Sequence, residues 1–371
     1  MRSAGGILPP AVSRHLPVRL GIVLAVLVTA CSGSADPATT SVATAPVATS
    51  SAPVSTVTVL EPDAAVPATV VFDAQGHRGA RGLQPENTLP AFETALDLGM
   101  STLEFDLHLA ADGEVVVWHD ASIDPGKCGL SPEAPGGTPD PDDATTAAED
   151  LMIRNLDPSQ LAAYRCDRNP DEGRFPDQAS SPTALAGDDY SIVTLAVLLD
   201  FVADYAESDA KTQEQRDNAT VVRFNMETKR KPDEPETIDD GFDGVNVGPF
   251  ESRVLDVIAE RGLEDRSVIQ SFDHRSLWAV HAEMPKIALA ALTRTSEVDL
   301  EALAARGASI WSPDHQSLTG SSLEAAHRAG LEVIPWTVNE PDLMDRLVGL
   351  GVDGLITDRP DVLLERLSTG G

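Results

Sequence analysis

The sequence predicts an α/β fold in which short strands alternate with helices and close into a (β/α)8 TIM barrel, with an irregular insertion after the third strand. Two observations carry that prediction. From residue 69 onward, short apolar runs of strand character alternate with stretches of helical periodicity, the pattern of a parallel sheet covered by helices. Roughly eight such strands spread over about 300 residues favour a closed barrel over an open sheet. A third observation narrows the choice. No Gly-x-Gly-x-x-Gly opens a helix and no P-loop is present, which weakens the nucleotide-binding folds.

The first 68 residues stand outside the predicted barrel. Arg2, Arg14 and Arg19 precede an uncharged apolar run over 20–30 that ends in Val28-Thr29-Ala30-Cys31. A basic segment followed by a short apolar run is a secretory signal, too short for a permanent span. Small residues before Cys31 resemble a bacterial lipobox. Residues 1–30 are therefore expected to be removed, and a lipid on Cys31 to anchor an exported protein to the outer face of the membrane. Residues 31–68 are mostly Ser, Thr, Ala, Pro and Val and read as an extended tether. The formal net charge of -32 repels nucleic-acid backbones, so no nucleic-acid partner is expected. Cys128 and Cys166 form an even pair, which in an exported chain favours a disulfide over two free thiols.

The catalytic part spans 69–371. Its first strand, near 70–74, delivers Gly76, His77 and Arg78 at its end. Asn87-Thr88-Leu89-Pro90 opens a helix with Asn87 or Thr88 as N-cap, and Gly99 stops it. Residues 102–109 alternate strictly, so Glu104, Asp106 and His108 share one face and Leu103, Phe105, Leu107 and Leu109 the other. Asp112-Gly113 reads as a two-residue hairpin turn, and 115–119 returns with His119 opposite Glu104. Residues 121–189, rich in Gly, Pro and Asp, are too long for an ordinary loop and read as a small insertion or lid. A helix over 194–205 and, after a polar loop, a strand over 220–229 follow; the strand ends in Glu227 and Lys229. Further strands at 268–272, 287–292, 309–311, 333–338 and 354–357 alternate with helices near 253–261, 275–282, 300–305, 322–329 and 343–350. That makes nine strand candidates, so either the hairpin is irregular or one candidate is wrong.

Three strand-borne acids, Glu104, Asp106 and Glu227, offer an all-oxygen ligand set for one hard divalent cation, Ca²⁺ or Mg²⁺. Solvated strand-end acids are the alternative; the apolar neighbours of Glu104 and Asp106 favour the metal. Phosphodiester cleavage needs charge neutralised on the non-bridging oxygens and protons moved at the bridging ones. The cation and Arg78 suit the first task. His77 and His119 suit the second, one neutral as base and the other protonated as acid. Lys229 is either a further phosphate contact or an ordinary strand-end lysine.

At these residues the sequence resembles the glycerophosphodiester phosphodiesterase family. The matching pieces are His77-Arg78-Gly79, Pro85-Glu86-Asn87-Thr88, Glu104-x-Asp106, Asp112-Gly113 and Val117-x-His119-Asp120. They continue in Asn225-x-Glu227-x-Lys229, Ser271-Phe272, Trp336-Thr337-Val338-Asn339 and Gly351-Val352-Asp353-Gly354-Leu355-Ile356-Thr357-Asp358-x-Pro360. The resemblance runs in order over nearly all of 70–365 and is closest to exported, lipoprotein-type members. It implies a phospholipase C-like TIM barrel with Glu104, Asp106 and Glu227 as ligands of Ca²⁺ or Mg²⁺. It implies His77 and His119 as the acid/base pair, Arg78 and Lys229 on phosphate, and Phe272 and Trp336 beside the substrate. The substrate it implies is a small glycerophosphodiester, cleaved to an alcohol and glycerol 3-phosphate. Two alternatives stand beside it. One is a phospholipase D-like or phosphatidylinositol-cleaving enzyme on the same barrel, and the other is a surface lipoprotein that captures a phosphorylated ligand without turnover.

Overall fold

A computed structural model describes residues 72–369. The expected signal, the lipid anchor at Cys31 and the tether lie outside the described residues. Strand β1 (Asp73–His77) is followed by helix α1 (Leu89–Leu98), strand β2 (Thr102–Leu109) and the short β3 (Val115–Val117). The insertion carries β4 (Gly129–Leu130), α2 (Pro158–Leu161) and β5 (Tyr164–Arg165). Helices α3 (Leu195–Glu207) and α4 (Gln213–Val221) lead into β6 (Arg223–Thr228). Then α5 (Pro249–Arg261), β7 (Ser267–Ser271), α6 (His274–Glu283), β8 (Ala288–Thr293), α7 (Leu300–Ala305) and β9 (Ile310–Pro313) alternate. The last elements are α8 (Gly320–Arg328), β10 (Glu332–Val333), α9 (Pro341–Leu350), β11 (Gly354–Thr357) and α10 (Pro360–Thr369).

Eight strands pair in parallel in the order β10-β9-β8-β7-β6-β2-β1-β11. Hydrogen bonds from Asp353 N to Val333 O, Ile356 N to Pro335 O and Val338 N to Ile356 O join β11 to the β10 segment and close the barrel. The ninth strand of the sheet, β3, pairs with β2 and runs antiparallel to it. The hairpin is thus the irregular element.

Alternation along the strands sorts the side chains into two layers. Leu103, Phe105 and Leu107 of β2, with Phe224 and Met226 of β6, face the helices and pack with Phe92, Leu96 and Leu198. Facing inward, Val268, Ala290, Ile310, Ile334 and Ile356 form an apolar plug. The opposite inner wall is polar: Asn225 Nδ2 donates to Gln75 Oε1 at 2.7 Å, and Gln270 Nε2 donates to Glu104 Oε1 at 2.7 Å. The insertion has a core of its own, with Trp118, Ile123, Leu151, Ile153, Leu161 and Tyr164 packed around the Cys128–Cys166 disulfide.

Four local expectations differ in the structure. The hairpin register is one residue off, pairing Leu107 with Val117, so His119 is not opposite Glu104. Ala110 N donates to Glu114 O across a three-residue loop, with Gly113 at φ 88°, where a two-residue turn was expected. The strand expected over 220–229 begins at Arg223, and the polar loop before it is helix α4, opened by a reciprocal Thr212–Gln215 capping box. Thr88 holds the N-cap position of α1 but its hydroxyl donates to Pro85 O, so it caps nothing.

Helix α1 is tied down by a buried ion pair. Lys211 Nζ lies 2.5 Å from Glu93 Oε1 and 2.7 Å from Asp97 Oδ1, and Glu93 also accepts from the backbone of Leu185 and Ala186. Breaking one side of such a pair strands a buried charge. Lys211→Met is expected to lower unfolding free energy by about 3 kcal/mol, read from urea denaturation midpoints.

Candidate active site

The site begins with a turn that only a glycine-rich segment can make. After β1 the chain doubles back so tightly that a Cβ on Gly76 would sit 2.3 Å from Gly79 O. Gly79 has φ 84° and Arg78 itself φ 54°, a left-handed backbone that a non-glycine residue rarely adopts. The turn aims the Arg78 amide at Glu104 Oε2, 3.0 Å away, and its guanidinium across the barrel mouth. Asn87, also left-handed at φ 57°, donates from Nδ2 to Asp106 Oδ2 at 2.9 Å.

The parallel pairing of β2 with β6 sets Asp106 beside Glu227. One oxygen from each of Glu104, Asp106 and Glu227 lies within 4.8 Å of the others, and all three residues are buried. Their charges are unevenly offset. Burial, then repulsion from Asp106 and Glu227, raises the Glu104 carboxyl well above its usual range. Burial likewise raises Glu227, although Lys229 Nζ stands 2.8 Å from it. Asp106 goes the other way. Burial opposes its ionisation, but Arg78 and Lys229 outweigh burial and hold it well below the usual carboxylate range. Asp106 Oδ1 nonetheless makes no hydrogen bond, with Lys229 Nζ 3.4 Å away. Three crowded carboxylates, two of them resisting ionisation and one with an unsatisfied oxygen, are a donor set that fits a hard divalent cation.

The two histidines are held alike. His77 Nδ1 lies 2.5 Å from Asp358 Oδ1, and His119 Nδ1 lies 2.7 Å from Asp120 Oδ1. An ionised carboxylate only accepts, so Nδ1 carries the proton in both rings and Nε2 is left for the cleft. Asp358 is itself fixed by Asn339, which donates from Nδ2 to Oδ2 at 2.7 Å and accepts from the Asp358 amide. Burial lowers both histidines below their ordinary value, and Arg78 adds to the lowering in each. His108 sits beside the site, with Nε2 3.1 Å from His119 O; burial pushes its pKa down to about 4.

All nine residues expected from the sequence meet here. His77, Arg78, Glu104, His119, Glu227, Lys229, Phe272 and Trp336 line one cleft of about 400 Å³, with Asp106 buried behind it. Phe272 and Trp336 meet edge to face, their centroids 5.6 Å apart. No local pattern in the sequence gives a role to Glu86, which gathers Arg78, Arg81 and Lys127 at 2.7–2.9 Å. The same holds for Asp120, Asp358, Asn339 and Gln270. Each acts on another side chain, so only its presence within a matching motif could have drawn notice. Arg174 of the insertion reaches the cleft as well, flanking Phe175 with Arg81.

The profile of the glycerophosphoryl diester phosphodiesterase family matches residues 77–362. The chain belongs to that family. It is similar to a glycerophosphodiester phosphodiesterase of Caldanaerobacter subterraneus, 27% identical over 298 residues that cover 80% of this chain and 97% of the relative. The crystal structure of a putative glycerophosphoryl diester phosphodiesterase from Silicibacter pomeroyi aligns with TM-score 0.65 and 26% identity, covering 81% of this chain and 94% of that one. A phosphodiesterase of Oleispira antarctica, solved in complex with the product sn-glycerol-3-phosphate, shares the fold with TM-score 0.58 and 17% identity over 80% of this chain and 96% of that one. The protein is thus an enzyme, a phosphoric diester hydrolase on a TIM barrel.

Two outcomes follow from the electrostatics of this phosphodiesterase. Glu86, Asp120 and Asp358 are all depressed below their ordinary values: burial opposes this, but Arg78 outweighs it at Glu86 and His119 and His77 do so at the two aspartates. Folded, they bind fewer protons than unfolded below about pH 4.5, so their stabilisation is complete above that pH and is lost as pH falls. Glu104 and Glu227, being raised, act in the opposite sense, so the comparison of variants carries the test: Glu86→Gln should lower the thermal midpoint at pH 6, and its gap to the wild type should narrow as pH falls to 3. Asp358→Ala, which frees the His77 ring, is expected to lower kcat by roughly 10²-fold, measured by steady-state kinetics with circular dichroism to verify folding.

Proposed function

We propose that this protein hydrolyses small glycerophosphodiesters to an alcohol and sn-glycerol 3-phosphate, using one divalent cation, Ca²⁺ or Mg²⁺, and two histidines. The observation that carries the proposal is the pairing in one cleft of two imidazoles, each anchored at Nδ1 by a carboxylate, with a cluster of three buried carboxylates. Glu104, Asp106 and Glu227 would hold the cation. When bound, it supplies positive charge to a non-bridging phosphoryl oxygen.

The chain's own residues perform the rest. Arg78, and Lys229 at the end of β6, orient the phosphate and offset its charge. One histidine, neutral because burial lowers its pKa, takes a proton at Nε2 from the attacking water. The other, protonated on binding an anionic substrate, donates from Nε2 to the departing alkoxide oxygen. Phe272 and Trp336 form an apolar wall against the carbon skeleton and exclude water from that side. The product named for the Oleispira enzyme is the one this chemistry yields. The apolar run before Cys31 supports an exported, lipid-anchored location, where soluble diesters released from membrane lipids would be the substrates.

A coupled glycerol 3-phosphate assay tests the proposal. Purified protein should release glycerol 3-phosphate from glycerophosphocholine, lose activity in chelator and regain it with added Ca²⁺ or Mg²⁺. His77→Ala and His119→Ala should each lower kcat by about 10²–10⁴-fold without unfolding the chain. Full turnover in either variant, or cleavage only of an intact phospholipid, would reject it.

A further inference from the structure

The insertion reaches into the active site through a lysine that no proposed step employs. Lys127 Nζ lies 2.5 Å from Asp120 Oδ2 and 2.8 Å from Glu86 Oε1. The other oxygen of Asp120 meets His119 Nδ1, and Glu86 Oε1 accepts from Arg78 Nη1 at 2.9 Å. One ammonium therefore completes a chain of contacts from an imidazole on one side of the cleft to the guanidinium on the other.

The two histidine anchors differ in how they are held. Asp358 is buried, with a side-chain exposure of 1%, and Asn339 grips it twice. Asp120 stands at the rim with 31% exposure, and among the described residues its side chain bonds only His119 and Lys127. A half-solvated carboxylate with one remaining tether can swing about its χ angles and carry the ring with it. Glu86 does not need Lys127 in the same way, because Arg78 and Arg81 already offset its charge.

Lys127 is in turn fixed from the insertion. Its amide donates to Asp124 O, its carbonyl accepts from Arg168 N, and its ammonium lies 5.6 Å from the centre of the Trp118 ring. The next residue, Cys128, is fully buried and bonded to Cys166. We propose that Lys127 is a positioning residue which orients Asp120, and through it His119, and that the Cys128–Cys166 bridge keeps this lysine in place. The insertion then completes the catalytic constellation besides covering it. This inference rests on His119 moving a proton, as proposed above.

The test is steady-state kinetics on glycerophosphocholine at saturating cation, with folding verified by circular dichroism. Lys127→Met keeps the aliphatic stem and should lower kcat by about 10–100-fold while KM stays within about threefold; Lys127→Arg should recover most of the loss. Replacing both cysteines with serine should lower kcat in the wild-type background but add little in the Lys127→Met background, because both changes remove one function. If the double-serine chain does not fold, the two lysine variants decide alone. A readout independent of turnover is the ¹⁵N-edited NMR signal of the His119 Nδ1 proton, expected in the wild type and Lys127→Arg and lost by exchange in Lys127→Met. An unchanged kcat, a rise confined to KM, or an intact Nδ1 signal in Lys127→Met would overturn the proposal. Absence of turnover in the wild type would instead count against the proposed hydrolysis, and the NMR comparison would still decide the role of Lys127.

Discussion

Three carboxylates are forced together inside the mouth of this barrel, and most of the surrounding architecture answers that repulsion. Glu104, Asp106 and Glu227 come from neighbouring parallel strands whose inward positions alternate, so their separation is set by backbone pairing and cannot relax. Only nearby positive charge can offset it. Arg78 and Lys229 supply part, and they favour Asp106, while the Glu104 and Glu227 carboxyls stay raised above their usual range. A divalent cation, which this donor set fits, would supply the remaining positive charge.

That requirement explains the unusual backbone before α1. To reach Asp106 and Glu104 together, Arg78 must leave β1 in a left-handed conformation, and Gly76 and Gly79 must let the chain fold back on itself. Glu86 then ties the Arg78 guanidinium to the insertion through Lys127. With the three carboxylates on paired strands and the Arg78 guanidinium held by Glu86 and Asp106, the charged groups at the barrel mouth are fixed in advance.

The polar and apolar halves of the barrel interior divide the labour. The plug of Val268, Ala290, Ile310, Ile334 and Ile356 contributes hydrophobic stabilisation, roughly 25 cal/mol for each Å² taken from water. Opposite it, Asn225 Nδ2 donates to Gln270 Oε1 and Gln270 Nε2 donates to Glu104 Oε1, so the buried acid costs less than it would alone. The insertion stands apart from both, with a separate core and its own covalent bridge.

Strand alternation made the layer of Glu104, Asp106 and His108 readable from residue order, because period-two spacing fixes which side chains share a face. Strand and helix periodicity likewise determined the barrel, and strand-end histidines and acids pointed to five residues of the site, His77, His119, Glu104, Asp106 and Glu227, with Arg78 and Lys229 beside them; Phe272 and Trp336 came only through the family resemblance. Helix α4 was illegible, since a polar helix with one buried alanine shows no apolar stripe. The hairpin register depended on whether Gly113 closes a two- or a three-residue loop, and both readings satisfy the same dipeptide. Only the tertiary structure decided that Asp358, on the last strand's end, holds His77 from 281 positions away, and that Lys127 reaches Asp120 and Glu86 at once. Such contacts arise from barrel closure and from a disulfide-bound insertion. No local pattern encodes them, because neither partner has a periodicity or a neighbour that marks it.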